Sequence, residues 1–347
     1  MTIVLVFIFA TLICFSREKR LLQVMLFLLA LFFAFRSDMV PDAYAYRMYY
    51  YERDFASLEK GYFAFSGFFY KYLGLSFETF LFLVSIVVLE IWLWATKQIS
   101  NANDVRYQFP LMLSFMGFYY YGIVLRSSIA ITICYGFFPL LLYSKKIYRF
   151  GLYLLGVLLA MQFHQTAILF AFVPLFLFRI NNKFLHIVNL LSFLLLLTNE
   201  IIPIQTYMNE AVERLGFFRF NSYLEQDMET ERANIMAFYF LAISVLSVLF
   251  KNKLSYRNEK ERYTYDFFVN LTVFGTLINS LVWQIPAMSR LSMQWLFFMS
   301  YVIYMFLFRN NIKFIQEYKI GLSLMFCAIQ LFALLHYYPL IMNYLPF

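Results

Sequence analysis

Long runs of apolar residues alternate with short polar segments along most of the chain. A helix that crosses a bilayer needs roughly 20 predominantly apolar residues. Twelve runs approach that length, and they lie near residues 2–16, 21–36, 77–96, 107–122, 124–143, 147–163, 165–180, 184–199, 233–250, 267–284, 290–308 and 320–340. The pattern therefore predicts an all-α polytopic membrane protein with about 12 transmembrane helices, which form a single domain over residues 1–347.

Positive charge is distributed unevenly among the segments that join these runs. If the N-terminus lies outside, the inner segments hold 18 of the chain's 28 lysines and arginines. Cytoplasmic loops of membrane proteins carry such an excess. The net charge of +8 therefore indicates orientation and not binding to nucleic acid, and both termini are expected outside.

Two longer polar segments fall on the outer side, at residues 36–76 and 199–232. In the second, apolar residues recur at helical spacing: Ile204, Tyr207, Met208, Ala211, Leu215 and Phe218. An amphipathic helix of this kind lies in the plane of the membrane interface. We expect interfacial helices in both segments.

Composition excludes several classes of protein. With 63% hydrophobic and 14% charged residues, the chain has too much apolar surface for a soluble domain. The three cysteines lie inside apolar runs, without the spacing of a metal site or of a disulfide framework. No outer group of acids and histidines resembles a set of metal ligands, so we expect neither a metal nor another cofactor.

Four parts of the chain bring a cation, or a group that can become one, to the outer side. Arg36 ends the second run, Arg126 and Arg290 begin later runs, and His164 lies in a tight turn between two runs. Arg126 and Arg290 stand in apolar sequence without a nearby acid. An arginine fork suits an anion such as a diphosphate, although each arginine could instead reach the lipid headgroups.

The segment Phe35–Tyr62 combines charges with many tyrosines. Helical spacing would place four of its residues on one face, namely Asp42, Tyr46, Tyr49 and Arg53. Aromatic rings cover the apolar faces of sugars, and charged groups bind their hydroxyls. The alternative is an interfacial helix whose tyrosines lie among the headgroups.

The order of several short motifs resembles the EpsG family, the Wzy-like polymerases of bacterial exopolysaccharide and O-antigen. The motifs are Arg36 with Asp42-x-Tyr44-x-Tyr46, then Glu59-x-Gly61-Tyr62, Leu125-Arg126-x-x-Ile129-Ala130, Phe163-His164-x-x-Ala167 and Ser289-Arg290. Two positions depart from the family pattern, since Met39-Val40-Pro41 replaces a glycine before Asp42 and Ser127 replaces a glutamine.

This resemblance implies an enzyme of the bacterial inner membrane that acts on its periplasmic face. Such enzymes join polyprenyl-diphosphate-linked oligosaccharide repeats, and related glycosyltransferases have a helical fold of the GT-C type. Membrane lipids and a chain-length regulator protein are the other partners it implies.

The chemistry of this transfer assigns roles to the outer residues. We expect Arg126 and Arg290 to bind the diphosphate, with Arg36 as a third cation. The candidate bases are His164, Asp42 and Glu59, in that order. The sugar path is expected to contain three tyrosines, namely Tyr44, Tyr46 and Tyr62.

Other classes of membrane protein share some of these features. A flippase for lipid-linked oligosaccharides is equally apolar, but repeated halves and cations deep in its spans are expected and are not found here. An O-antigen ligase would share the chemistry and differ in its acceptor. A membrane O-acyltransferase is expected to have a histidine early in the chain, whereas the first histidine here is His164.

Overall fold

The computed structural model describes residues 19–38, 40, 42–52, 59–100, 104–118, 124–198, 230–283 and 292–337. Contacts between Cα atoms divide the chain into two compact units. Unit 1 comprises Met1–Pro174 and Ser323–Phe347, and unit 2 comprises Leu175–Leu322. The single transmembrane domain expected from the sequence stays a prediction.

The described residues of Met1–Pro174 in unit 1 contain eight α-helices. They are α1 (Lys19–Ala34), α2 (Ala43–Tyr51), α3 (Lys60–Gly67), α4 (Phe77–Ile99), α5 (Val105–Met112), α6 (Leu125–Gly136), α7 (Phe138–Tyr143) and α8 (Tyr148–Met161). A π-helical turn extends α3 at Phe68–Tyr72, and another extends α5 at Leu113–Gly117. A 3₁₀ helix, Gln165–Leu177, follows α8.

Helix α4 packs against several other helices of unit 1. Ser76 begins it, because its hydroxyl accepts a hydrogen bond of 3.3 Å from the Thr79 amide. Helices α1, α5, α6 and α7 all pack against α4. Buried polar groups join α4 to α6, since Trp92 Nε1 donates to Thr132 Oγ1 over 2.7 Å. These contacts position α6, whose first turn contains Arg126, against α4.

Unit 2 contains α9 (Asn182–Thr198), α10 (Thr230–Phe250), α11 (Glu259–Val282) and α12 (Met299–Arg309). Helices α9, α10 and α11 pack against one another, and α12 packs against α10 and α11. An antiparallel bridge between Leu254 and Asn310 joins the segments that follow α10 and α12. The last described helix, α13 (Lys313–Tyr337), belongs to unit 2 up to Leu322 and to unit 1 from Ser323.

The prediction of an all-helical chain is confirmed for the described residues, which contain no strand. Among them, four helical stretches are long and apolar enough to cross a membrane: Phe77–Ile99, Leu125–Tyr143, Met236–Lys253 and Glu259–Val282. The count of 12 spans and the GT-C arrangement stay predictions, and the run 2–16 lies outside the described residues.

Two boundaries bear on the expected outer segments. The segment 36–76 contains α2, α3 and the π-helical turn after α3, and the interfacial position expected for these helices stays a prediction. The amphipathic helix expected in 199–232 lies outside the described residues. Only residues 230–232 of that segment are described, and they begin α10. The span expected at 267–284 starts earlier, at Glu259, because the Asn258 side chain caps that helix by accepting from the Glu261 amide over 2.9 Å.

Candidate active site

The Glu59 carboxylate is shared by a guanidinium and an imidazole from two other parts of unit 1. Its Oε2 pairs with Arg126 Nη1, and its Oε1 lies 3.2 Å from His164 Nδ1. The Gln165 amide also donates to Oε1 over 3.4 Å. The Glu59 side chain is only 12% exposed, so the ion pair is largely shielded from water. Three predicted site residues thus form one cluster.

The backbone explains why Glu59 and His164 meet. Glu59 immediately precedes α3, and His164 lies in the predicted turn between α8 and the 3₁₀ helix. The Tyr62 amide donates to the Gln162 carbonyl over 3.1 Å. A Cβ atom at Gly61 would lie 2.4 Å from Gln162 Cβ, so only glycine permits this approach. The motif around Gly61 therefore fixes the start of α3 against the histidine turn.

Arg126 and His164 control the protonation of Glu59. Burial alone would raise the pKa of its carboxyl, but the hydrogen bond with His164 and the charge of Arg126 lower that pKa to about 2. Glu59 is therefore ionised at neutral pH and can only accept hydrogen bonds. Nδ1 of His164 must then carry the hydrogen between them, so Nε2 is the ring nitrogen that stays available to a substrate.

The ring of Tyr46 lies near the guanidinium groups of both Arg36 and Arg126. The Cζ of Arg36 lies 5.6 Å from the centre of its ring, and the Cζ of Arg126 lies 5.8 Å from it. The rings of Tyr46 and Tyr62 are 6.1 Å apart, and both side chains are buried. Burial raises the pKa of the Tyr46 hydroxyl, while the charge of Arg126 opposes the shift. The tyrosine stays neutral and can donate or accept a hydrogen bond.

Two buried polar atoms beside this cluster have unused hydrogen-bonding capacity. Tyr62 Oη and Arg126 Nε are buried and have no hydrogen-bond partner among the described residues. A buried polar atom without a partner costs free energy. A ligand with acceptor oxygens would satisfy the Arg126 donor, and a sugar hydroxyl would satisfy the Tyr62 hydroxyl.

Other predicted site residues are exposed or lie outside the described residues. Tyr44 is 57% exposed, and helical geometry places it on the face of α2 opposite Tyr46. Asp42 precedes α2 with a left-handed backbone, φ 64°, and its side chain is exposed. Arg290 and Arg53 lie outside the described residues, so the proposed roles of Arg290 stay predictions.

The sequence did not reveal the acid that pairs with Arg126. No acid lies near Arg126 in the sequence, so its partner was expected from elsewhere, and in the structure Glu59 pairs with it from 67 positions away. Helical spacing shows only neighbours within about two turns, so a pair this distant leaves no periodic signal. The available sign of this pair in the sequence was that the motifs containing Glu59 and Arg126 both occur in the chain.

Comparison with known proteins supports the resemblance that the motifs indicated. No curated protein and no solved structure matches the chain. The model of the EpsG family matches residues 19–347, which include every residue of the cluster around Glu59. The chain therefore belongs to the EpsG family, a family of Wzy-like polysaccharide polymerases.

Proposed function

We propose that the protein polymerises polyprenyl-diphosphate-linked oligosaccharide repeats into a surface polysaccharide, on the periplasmic face of the bacterial inner membrane. The family supports a polymerase of polysaccharides in general. The observation that carries the proposal is the Glu59 carboxylate, which binds Arg126 and His164 together. One cluster thus offers an anion-binding group beside a group that can accept a proton.

The cations are assigned to the leaving diphosphate. When the bond between the anomeric carbon and the diphosphate oxygen breaks, negative charge grows on that oxygen. Arg126 and Arg36 flank Tyr46 and can donate hydrogen bonds to the phosphate oxygens. Arg290 is proposed as a third cation on the basis of the sequence. Guanidinium groups would thus stabilise the leaving group without a metal.

His164 is assigned as the general base. In the transfer, an acceptor hydroxyl oxygen forms a bond with the anomeric carbon and gives its proton to Nε2 of His164. Glu59 holds Nδ1 and stabilises the imidazolium that forms, as an orienting carboxylate does in other enzymes. With a pKa of about 2, Glu59 itself is a weak base. Asp42 remains the second candidate for the base.

The tyrosines are assigned to the sugars. Tyr46 and Tyr62 present buried rings beside the cations, where the sugar next to the diphosphate would bind. Tyr44 is exposed on another face of α2 and would contact sugars further from the reacting bond. A chain-length regulator and membrane lipids are the proposed partners, and no cofactor is assigned.

Deletion of the gene distinguishes this function from its rivals. The surface polysaccharide of the deletion strain is separated on a gel. A polymerase is supported if the ladder disappears while a single repeat unit remains, and restoration by the wild-type gene completes the test. Loss of all repeats, including the single unit, would contradict polymerisation and indicate a ligase or a flippase.

A further inference from the structure

Arg47 occupies the position after Tyr46 on α2, and its guanidinium contacts three groups. Its Nε lies 2.9 Å from Asp38 Oδ1, and its Nη1 pairs with Glu78 Oε1. Its Cζ also lies 5.4 Å from the centre of the Phe77 ring. Two carboxylates balance one cation, so Arg47 does not supply a free positive charge to a ligand.

These contacts tie together three separate parts of unit 1. Asp38 follows α1 and is two residues beyond Arg36, while Glu78 lies in the first turn of α4. Further along α2, Tyr50 Oη donates to the Leu75 carbonyl over 2.9 Å, and Tyr51 Oη accepts from the Phe77 amide over 3.1 Å. Helix α2 is therefore attached to the start of α4 along one side.

The opposite end of α2 is less firmly held by its own sequence. Asp42 makes no side-chain hydrogen bond to cap the helix, and its left-handed backbone is unfavourable for a residue with a Cβ atom. The contacts of the neighbouring residue, Arg47, therefore help to fix the position of Tyr46 near Arg36 and Arg126. Loss of those contacts would let Tyr46 and Arg36 shift relative to Arg126.

We propose that Arg47 is a positioning residue for the diphosphate site, acting through Tyr46 and Arg36. The inference rests on the proposed function, since it assigns the ligand of those cations. A planar guanidinium can bind two carboxylates and cover a ring at once, whereas the lysine ammonium is a point charge on a flexible stem. Lysine at this position can therefore keep only part of the arrangement.

The test measures binding of farnesyl diphosphate, a short and soluble polyprenyl diphosphate, to the purified full-length protein in detergent. We expect Arg47→Met to raise the Kd roughly tenfold. This is about the effect of one lost hydrogen bond between a displaced Arg36 and the diphosphate. Arg47→Lys should give a smaller rise. The exchanged pair Arg47→Glu with Glu78→Arg should recover part of the lost affinity.

Arg149→Met is the matched control. Like Arg47, Arg149 has a polar partner and a nearby ring: its guanidinium donates to the Ser144 carbonyl and lies 4.7 Å from the centre of the Phe150 ring. Arg149 lies in the first turn of α8, whereas His164 follows the last turn, so the Kd should not change. The melting temperature without ligand is measured for every variant, because a merely structural role would lower it without a selective change in Kd.

Each remaining outcome decides between the two proposals. If Arg126→Met weakens binding but Arg47→Met does not, the inference on Arg47 is wrong and the diphosphate site stands. The inference on Arg47 is equally wrong if its variants lose melting temperature and keep the wild-type Kd. If the wild-type protein does not bind farnesyl diphosphate, or if Arg126→Met binds it equally well, the proposed site itself fails and Arg47 fails with it.

Discussion

At the scale of single residues, Arg126 offers the most direct test of the anion site. Arg126→Lys should lose at least nine-tenths of the polymer, roughly a tenfold effect, because a point charge cannot pair with Glu59 and a phosphate in the same plane. The measurement is the polysaccharide ladder in a deletion strain that expresses the variant at the wild-type level. Arg149→Lys serves as the control. An unchanged ladder with Arg126→Lys would refute the assignment.

Two substitutions of His164 test whether it accepts a proton or only makes a structural hydrogen bond. His164→Ala should lower turnover by roughly 10²–10⁴-fold, the usual contribution of a general base. His164→Gln can keep a hydrogen bond to Glu59 but cannot take the proton, so it should be nearly as slow. The rate of polymer formation in membranes measures both variants. Full turnover with glutamine would make Asp42 the leading base.

Glu59 makes stability depend on acid. Its pKa is lowered from 4.5 to about 2, so its ion pair stabilises the fold fully above pH 4.5. That contribution is lost as the pH falls towards the folded-state value. Between about pH 5 and about pH 2.5, the wild-type protein should lose about 2–3 kcal/mol more stability than Glu59→Gln. Unfolding in detergent measures this, and identical pH profiles would contradict the shared carboxylate.

The residues also show how far the sequence could predict the site. The motif order named Arg36, Glu59, Arg126 and His164, which lie near one another in the structure, and their roles stay predictions. Of the four residues that helical spacing placed on one face, Tyr46 and Tyr49 lie in α2 with rings 6.5 Å apart. The individual pairs could not be predicted, because Glu59 is 105 positions from His164 and 67 from Arg126. Such contacts follow from how helices pack, which local periodicity does not encode.

At the scale of helices, the contact between α3 and the turn after α8 is set by one glycine. Gly61→Ala would place a Cβ atom 2.4 Å from Gln162 Cβ and 2.7 Å from its carbonyl oxygen. The two segments must separate, and we expect a loss of about 1–3 kcal/mol together with most of the activity. Thermal unfolding and the polysaccharide ladder measure these effects.

Gly151 on α8 is the matched control for that substitution. A Cβ atom there meets nothing within 4 Å, so Gly151→Ala should keep the activity and slightly stabilise the helix. If Gly61→Ala behaves like Gly151→Ala, the close approach does not determine the geometry of the site. The helices themselves were predictable from apolar runs, whereas this contact depends on the Gln162 backbone and was not.

At the scale of the whole molecule, the predicted orientation separates two positions of similar exposure in unit 1. Tyr72 is 80% exposed and is expected outside, while Ile147 is 83% exposed and is expected inside. A cysteine at position 72 should react with a reagent that cannot cross the membrane, and a cysteine at 147 should not. Cys134 and Cys327 are buried, and Cys14 is replaced by serine to remove background. Labelling of 147 from outside would reverse the orientation.

The Glu59 carboxylate has a consequence for the timing of the catalytic cycle. In the proposed reaction, the diphosphate of the substrate does not meet an isolated guanidinium, because Glu59 already pairs with Nη1 of Arg126 and leaves Nε without a partner among the described residues. The negative charge of Glu59 opposes the approach of a second anion, so the net free energy of binding is smaller than the contact with Arg126 alone would give. The same repulsion would favour the departure of the spent polyprenyl diphosphate. An enzyme that adds many repeats in succession would in this way bind its own product less tightly.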